Sequence, residues 1–252
     1  MKRLTMISLI LTLFLSSQAF AVILYDQDFE NPTGFINDGG DINIFRSVNQ
    51  LYSNQPPGFV FTQNFTVETL LVTGTQAFGT GYSDDPAGTA GNYTLGMLSS
   101  AQDDRLGLAF DVGSNDFLNV FLDISSIDLD RFGGPFVTPG DPAEFRFTLF
   151  DNPGGAPGLG GGTILSQLDA TAAASARTVF DWTHAVLPLA ALGNTDGNVI
   201  LQIDLLSGGY GAMDNLLIEA SETPAVVPVP AAVWLFGTAL IGLVGFSRRK
   251  AT

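Results

Sequence analysis

The chain alternates between apolar and polar positions. In Glu144-Phe145-Arg146-Phe147-Thr148-Leu149, residues Phe145, Phe147 and Leu149 share one side while Glu144, Arg146 and Thr148 share the other. The same period of two runs through Leu106, Leu108, Phe110 and Val112, through Leu118, Val120, Leu122 and Ile124, and through Val199, Leu201, Ile203 and Leu205. Successive side chains of a strand point to opposite faces, so each run predicts a strand buried on one face. Turn formers stand between the runs, as in Asn37-Asp38-Gly39-Gly40, Gln55-Pro56-Pro57-Gly58, Gly133-Gly134-Pro135 and Asn194-Thr195-Asp196-Gly197. The apolar runs predict roughly ten or eleven strands. Residues 170–176 and 187–192 each fit a turn or two of helix, and no longer amphipathic helix is predicted in the body. The class that follows is all-β, an antiparallel β-sandwich, with the 20 phenylalanines expected to form the bulk of its core.

Both ends break this pattern. Met1-Lys2-Arg3 is followed by a mostly apolar run over 4–15, then by Ser16-Ser17-Gln18-Ala19-Phe20-Ala21, which ends on a small-x-small site. That order predicts a secretory signal helix removed after Ala21. At the other end, Val227-Pro228-Val229-Pro230 leads into residues 231–246, which carry no charge, and Arg248-Arg249-Lys250 follows. As a helix those positions span about 24 Å, against about 30 Å for a bilayer core. A C-terminal transmembrane helix is expected, body outside and cations on the cytoplasmic side. The expected division is a signal peptide over 1–21, a sandwich over 22–222, and a linker plus membrane segment over 223–252.

Charge sharpens the picture. The terminal segments hold half of the ten cations, so the body keeps Arg46, Arg105, Arg131, Arg146 and Arg177 against 25 acids, leaving it near −20. Such a surface repels phosphate backbones, which excludes nucleic acid as a partner. It attracts cations, and aspartate is a hard oxygen ligand suited to Ca²⁺. There is no cysteine, which excludes disulfides, acylation on cysteine, a thiol nucleophile and a thiolate zinc cage.

Catalytic chemistry finds little support. The single histidine, His184, shares a strand parity with Phe180 and Trp182, and no Gly-x-Ser-x-Gly elbow exists. No Glu-x-Asp-x-Glu run is present; Asp28-Phe29-Glu30 and Asp128-Leu129-Asp130 come nearest. The Gly/Pro run over 152–162 lacks a Gly-Lys-Ser/Thr ending, so it reads as a flexible surface loop rather than a phosphate cradle. Two acidic segments have a calcium reading. Alternation puts Asp26, Asp28 and Glu30 on one face, opposite Ile23, Tyr25 and Phe29. In the last strand, Asp214 shares a parity with Ala212, Leu216 and Ile218. A carboxylate so placed needs a partner.

Two resemblances follow from these residues. An opening strand ending in Asp28-Phe29-Glu30, with a closing strand carrying Met213-Asp214-Asn215-Leu216, resembles the jelly-roll sandwiches of carbohydrate-binding modules. That resemblance implies that the first and last strands lie side by side and share a structural Ca²⁺, with Glu30, Asp214 and Asp28 as ligands. The C-terminal order of Val227-Pro228-Val229-Pro230, an apolar run and Arg248-Arg249-Lys250 resembles the PEP-CTERM sorting signal of exported proteins in Gram-negative bacteria. It departs from the family in having Val229 where glutamate is usual. The resemblance implies the export machinery and an exosortase-type protease as partners, a transient membrane helix, and association with exopolysaccharide at the cell surface or in the extracellular matrix. The expected role is a non-catalytic, polysaccharide-associated sandwich. Its alternatives are a glycan-active hydrolase or lyase on the same fold and a purely structural or adhesive surface protein.

Overall fold

The computed structural model describes residues 21–35, 48–52, 58–64, 67–72, 88–97, 104–127, 141–173, 180–207 and 210–226. Their elements are β1 (Val22–Gln27), a single helical turn α1 (Val48–Leu51), β2 (Phe61–Asn64), β3 (Val67–Leu71), β4 (Tyr93–Met97), β5 (Arg105–Asp111), β6 (Phe117–Ser126), β7 (Glu144–Asp151), β8 (Ile164–Thr171), β9 (Thr183–Ala190), β10 (Asn198–Ser207) and β11 (Gly211–Ser221). The strands form two antiparallel sheets. Sheet A runs β3-β4-β11-β6-β9, with β1 also paired to β11, and sheet B runs β2-β5-β10-β7-β8. From β4 onward the chain changes sheet at every connection except the β7–β8 hairpin, so each sheet is assembled from strands distant in sequence.

The inner faces meet as the alternation predicts. Leu106 and Leu108, Phe145, Phe147 and Leu149, and Val199, Leu201 and Ile203 from sheet B are buried in one cluster with Leu118, Val120, Leu122 and Ile124 from sheet A. Among the described residues this core holds more Leu, Val and Ile than Phe, because phenylalanines such as Phe117, Phe121 and Phe150 fall on outer positions and are only half-buried. A second, smaller cluster lies under Trp182 and Tyr210 and contains Leu70, Ile127, Phe180 and Ala212. Trp182 stacks on Phe180 with ring centroids 5.8 Å apart.

Three local expectations change. Of the two stretches expected to make helical turns, residues 170–171 end strand β8 and residues 187–190 lie in strand β9, while 174–176 lie outside the described residues. Both strands lie at sheet edges, and an edge strand tolerates Pro188 because its missing N–H need not serve a neighbour. In β1, a register shift between Ile23 and Tyr25 leaves Ile23 59% exposed while Tyr25 is buried. The Gly/Pro run is not loose. Gly154 N donates to Asp196 Oδ2 at 2.8 Å, Asn152 N to Asn198 O at 3.0 Å and Gly160 N to Gln202 Oε1 at 2.9 Å. It lies across the outer face of sheet B.

The chain beyond β11 is also held. Asn119, buried on the outer face of β6, donates from Nδ2 to Thr223 O at 3.2 Å and accepts from Ala225 N at 2.8 Å. Thr223 N donates to Ser221 Oγ at 3.1 Å. Asn119→Ala removes both amide contacts. Limited proteolysis of the full chain is expected to cut within 222–226 at least several times faster in that variant, with the sandwich otherwise intact. Among the described residues no helix is long and apolar enough to cross a membrane. The predicted signal helix and C-terminal span lie outside the described residues.

Candidate functional site

The predicted pairing of first and last strands is present: β1 and β11 are antiparallel, with Tyr25 opposite Ile218 and Gln27 opposite Leu216. On the same edge, β4 takes the other half of β11, with Met213 opposite Leu95. The junction between β1 and β4 is where the acidic residues collect. Asn215 sits there with φ 50°, a left-handed conformation that Asn tolerates well. It inserts a bulge between Asp214 and Leu217 in the pairing with β6. A bulge changes which residues share a face. Asp214 therefore keeps the side of Ala212, on the outer face, but not the side of Leu216 and Ile218, which join the inner core with Met213.

Asp28-Phe29-Glu30 closes over this junction. Phe29 is fully buried with φ 54°, a rare and costly conformation for a bulky residue. It is held from three sides: Tyr52 Oη donates to Phe29 O at 2.8 Å, Phe29 N donates to Gln27 Oε1 at 3.0 Å, and the Phe29 and Tyr52 rings meet edge-on at 5.3 Å. Burial pushes the Tyr52 phenol far above its ordinary range, so it stays a donor. The kink aims Glu30 at the start of β4. Glu30 Oε1 accepts from Asn92 N at 2.8 Å and Tyr93 N at 3.0 Å, and Oε2 accepts from Asn92 Nδ2 at 3.1 Å. Gly91 makes room for it, since a Cβ there would lie 2.4 Å from Glu30 Oε1. Asp28 is exposed and accepts from Glu30 N at 3.1 Å.

Asp214 is the unusual member. It is 1% exposed. Its Oδ1 accepts from Asn215 N at 2.8 Å, while Oδ2 is buried with no hydrogen-bond partner. Burial, with Glu30, Asp123 and Asp28 adding negative charge, pushes its carboxyl up to about 8. Asp123 was not singled out in the sequence. It stands directly opposite Asp214 across β6 and β11, where like charges repel. Asn215 Nδ2 donates to Asp123 Oδ2 at 2.9 Å, and His184 Nδ1 hydrogen-bonds Asp123 Oδ1 at 3.0 Å. The outward parity of Asp123 was visible in the alternation of β6; its partner strand was not. Among the described residues Asp123 is the one side chain hydrogen-bonded to His184, whose side chain is 61% exposed. Among the described residues no three His, Cys, Asp or Glu side chains are arranged to hold a metal ion. The sorting-signal residues Val227, Pro228, Val229, Pro230, Arg248, Arg249 and Lys250 lie outside the described residues.

The outer face of sheet B carries a second polar array. The register aligns Asn64, Arg105, Asp204, Arg146 and Asp169 in one row across all five strands. Arg146 grips Asp169 with two bonds of 2.8 Å, which hold the Asp169 carboxyl below its ordinary range and raise the guanidinium. Arg105 lies 3.5 Å from Asp204, and Gln202 Nε2 donates to both Asp204 oxygens at 2.8 and 3.0 Å. The next row aligns Thr62, Gly107, Gln202, Thr148 and Gln167. The β7–β8 loop covers part of it: a Cβ on Gly107 would lie 2.2 Å from Gly158 O. Gln202 and Asp204 are accordingly only 7% exposed, although they point away from the core.

Fold and site together define an antiparallel β-sandwich with fixed, paired polar groups on both outer faces. No protein-family model matches the chain, and no curated protein matches it. Among solved structures it is similar to the K3 cleaved adhesin domain of Lys-gingipain from Porphyromonas gingivalis w83, at 9% identity over 79% of this chain and 99% of that one, TM-score 0.40. It is also similar to the CBM22-1 xylan-binding domain of Paenibacillus barcinonensis Xyn10C, at 12% identity over 81% and 97%, TM-score 0.40. A third is the family 11 carbohydrate-binding module of Clostridium thermocellum, at 13% identity over 65% and 89%, TM-score 0.34. Likenesses this distant say nothing of what this chain binds.

Proposed function

We propose that this is an exported, non-catalytic sandwich of the cell surface or extracellular matrix that holds neutral polysaccharide against the outer face of sheet B. We further propose that its C-terminal segment directs it to an exosortase-type enzyme. The observation that carries the binding reading is the double row on sheet B. Arg146 with Asp169, Arg105 with Asp204, and Gln167 with Thr148 offer donors and acceptors that are already oriented by their partners. A hydroxyl-rich polymer needs such preorganised partners, because each must replace a bond to water. The acidic body disfavours anionic polymers. Support for export is the order of signals at the two ends of the sequence.

A glycan array probed with the purified protein tests the binding reading. Retention of neutral glycans without product, weakened about tenfold or more by Arg146→Ala with Gln167→Ala, is the expected result. Product release points to the glycan-active enzyme instead, and no retention points to the structural role. Intact mass of the mature protein tests sorting, and a chain ending beyond Lys250 overturns it.

A Ca²⁺ ion on Asp214, with Glu30 and Asp28, is the second part of the proposal. The donors are hard oxygens of the kind Ca²⁺ takes, and the buried, unpartnered Asp214 Oδ2 supports the reading. As placed, no three of the described carboxylates converge on one point, so binding would have to draw Glu30 and Asp28 toward Asp214. Glu30 already accepts three N–H bonds, so Asp214 is the residue with most to gain. When bound, the ion would supply the positive charge that the cluster of carboxylates lacks.

A further inference from the structure

A cavity of about 340 Å³ opens where the end of sheet B meets β1. Its floor is aromatic. Phe59 and Phe110 lie with ring centroids 4.9 Å apart and tilted by 38°, and Phe59 is backed by Tyr25, stacked at 4.7 Å. Leu24 and Ala109 close the sides. The rim is polar: Asp111 and Asn198 stand directly opposite one another on β5 and β10. Asp111 Oδ1 accepts from Gly113 N at 2.8 Å, which orients the carboxylate. The Asp196 carboxylate accepts from the Asn198 backbone N at 3.1 Å and from the Asn198 side chain, which orients the carboxamide. Two glycines keep the mouth open. Gly58, with φ +83°, has nothing within 4 Å of where a Cβ would be, and Gly155, with φ +68°, lies against the Asn198 amide.

We propose that this cavity is a binding site for one uncharged pyranose ring, some of its C–H groups against the small exposed parts of Phe59 and Phe110, 8% and 7% exposed, and two neighbouring hydroxyls on Asp111 and Asn198. Ligand cavities begin at about 300 Å³, so the space suits a single ring rather than a chain. An apolar floor with an adjacent carboxylate and carboxamide matches a molecule that is apolar on its face and hydroxylated at its edge. The Asp111 carboxylate and the acidic body reject uronic and sulfated sugars by repulsion. The β7–β8 loop, pressed on Gly107 through Gly158 O and bonded to Gln202, stands between this cavity and the polar row of Arg105, Asp204, Arg146 and Asp169. The cavity therefore takes a chain end or a free sugar, while the rows hold the length of a polymer. The inference rests on the polysaccharide reading and gives it a second subsite.

The test is amide chemical-shift mapping of the isotope-labelled full chain, titrated with methyl α- and β-glycosides of glucose, galactose, mannose and xylose. One of these is expected to shift Gly58, Ala109 and Gly155 in a saturable way. Ala109→Leu, which fills the cavity from an outward-facing position, is expected to weaken that response at least tenfold. Asn198→Ala is expected to do the same, and serves if the first variant does not fold. Shifts confined to the Thr62 and Gln167 rows overturn the cavity site and leave the polymer reading standing. The same holds for retention on a glycan array with no response at the cavity. No shift with any glycoside and no retention on the array overturn both.

Discussion

Asp214→Asn is expected to raise the midpoint of thermal unfolding in chelator at pH 8 and to abolish any rise on adding Ca²⁺. In the wild type the buried carboxylate has one oxygen without a partner and three acidic neighbours. Leaving a buried polar atom unsatisfied costs about 1–3 kcal/mol, more when it is charged. Asparagine keeps the shape, removes the charge and offers an N–H₂ group to the surrounding carboxylates. A gain of about 1 kcal/mol moves the midpoint by roughly 2–4 °C in a domain of this size. The pH dependence has a definite sign. With a carboxyl pushed up to about 8 in the folded chain and an ordinary value of about 3.9 when unfolded, the folded state binds more protons between those limits. Without metal, Asp214 therefore contributes a loss of stability as pH rises from about 4 to about 8, with a limiting slope near 1.4 kcal/mol per pH unit. Above that range the loss is complete. The variant is expected to lose this slope. With Ca²⁺ present, the wild type should gain stability by mass action and the variant should not. A wild-type midpoint that is indifferent to chelator and Ca²⁺ at pH 8 removes calcium from the proposal.

Gly107→Val is the second substitution with a large expected effect. The new Cβ would lie 2.2 Å from Gly158 O and 3.0 Å from Gly158 C, both backbone atoms that cannot swing aside. Overpacking of this kind costs about 1–3 kcal/mol, and here the cheapest relief is to lift the β7–β8 loop from the sheet. Faster proteolysis within 153–162 is expected, together with a lowered unfolding midpoint. Shortening the loop across 156–161 in the same chain should restore the midpoint but not the cover over Gln202. If the loop stays as protected as in the wild type, it is not held by contact with Gly107.

The inner rows of the sandwich were legible because a period of two states directly which side chains meet the core. Leu118 to Ile124 and Val199 to Leu205 are buried as expected. The closing pair of β1 and β11 was implied by resemblance rather than by pattern, and the structure contains it. What stayed hidden is non-local. The alternation of β11 breaks at Asn215, a single left-handed residue, and so misplaces Leu216 and Ile218 relative to Asp214. Asp123 becomes part of the cluster only through its register with a strand some ninety positions away in the chain. The stretch over 187–192 reads locally as a helical turn, yet for residues 187–190 the pairing of β9 with β6 decides otherwise. Polar residues on the outer face of β10 would be expected in water. They are buried because a glycine-rich loop, which has no periodicity to read, is laid over them.

Asn119 has a mechanical consequence. A protein moored by its C-terminal tail while gripping a polymer carries load along the path between the two. Under the proposed function that load would enter at residues 223–225 and pass through the Asn119 amide into β6 as well as along the chain into the end of β11. Both strands lie inside sheet A with neighbours on either side. Such tension would be shared by the middle of the sheet instead of peeling its last strand from one end.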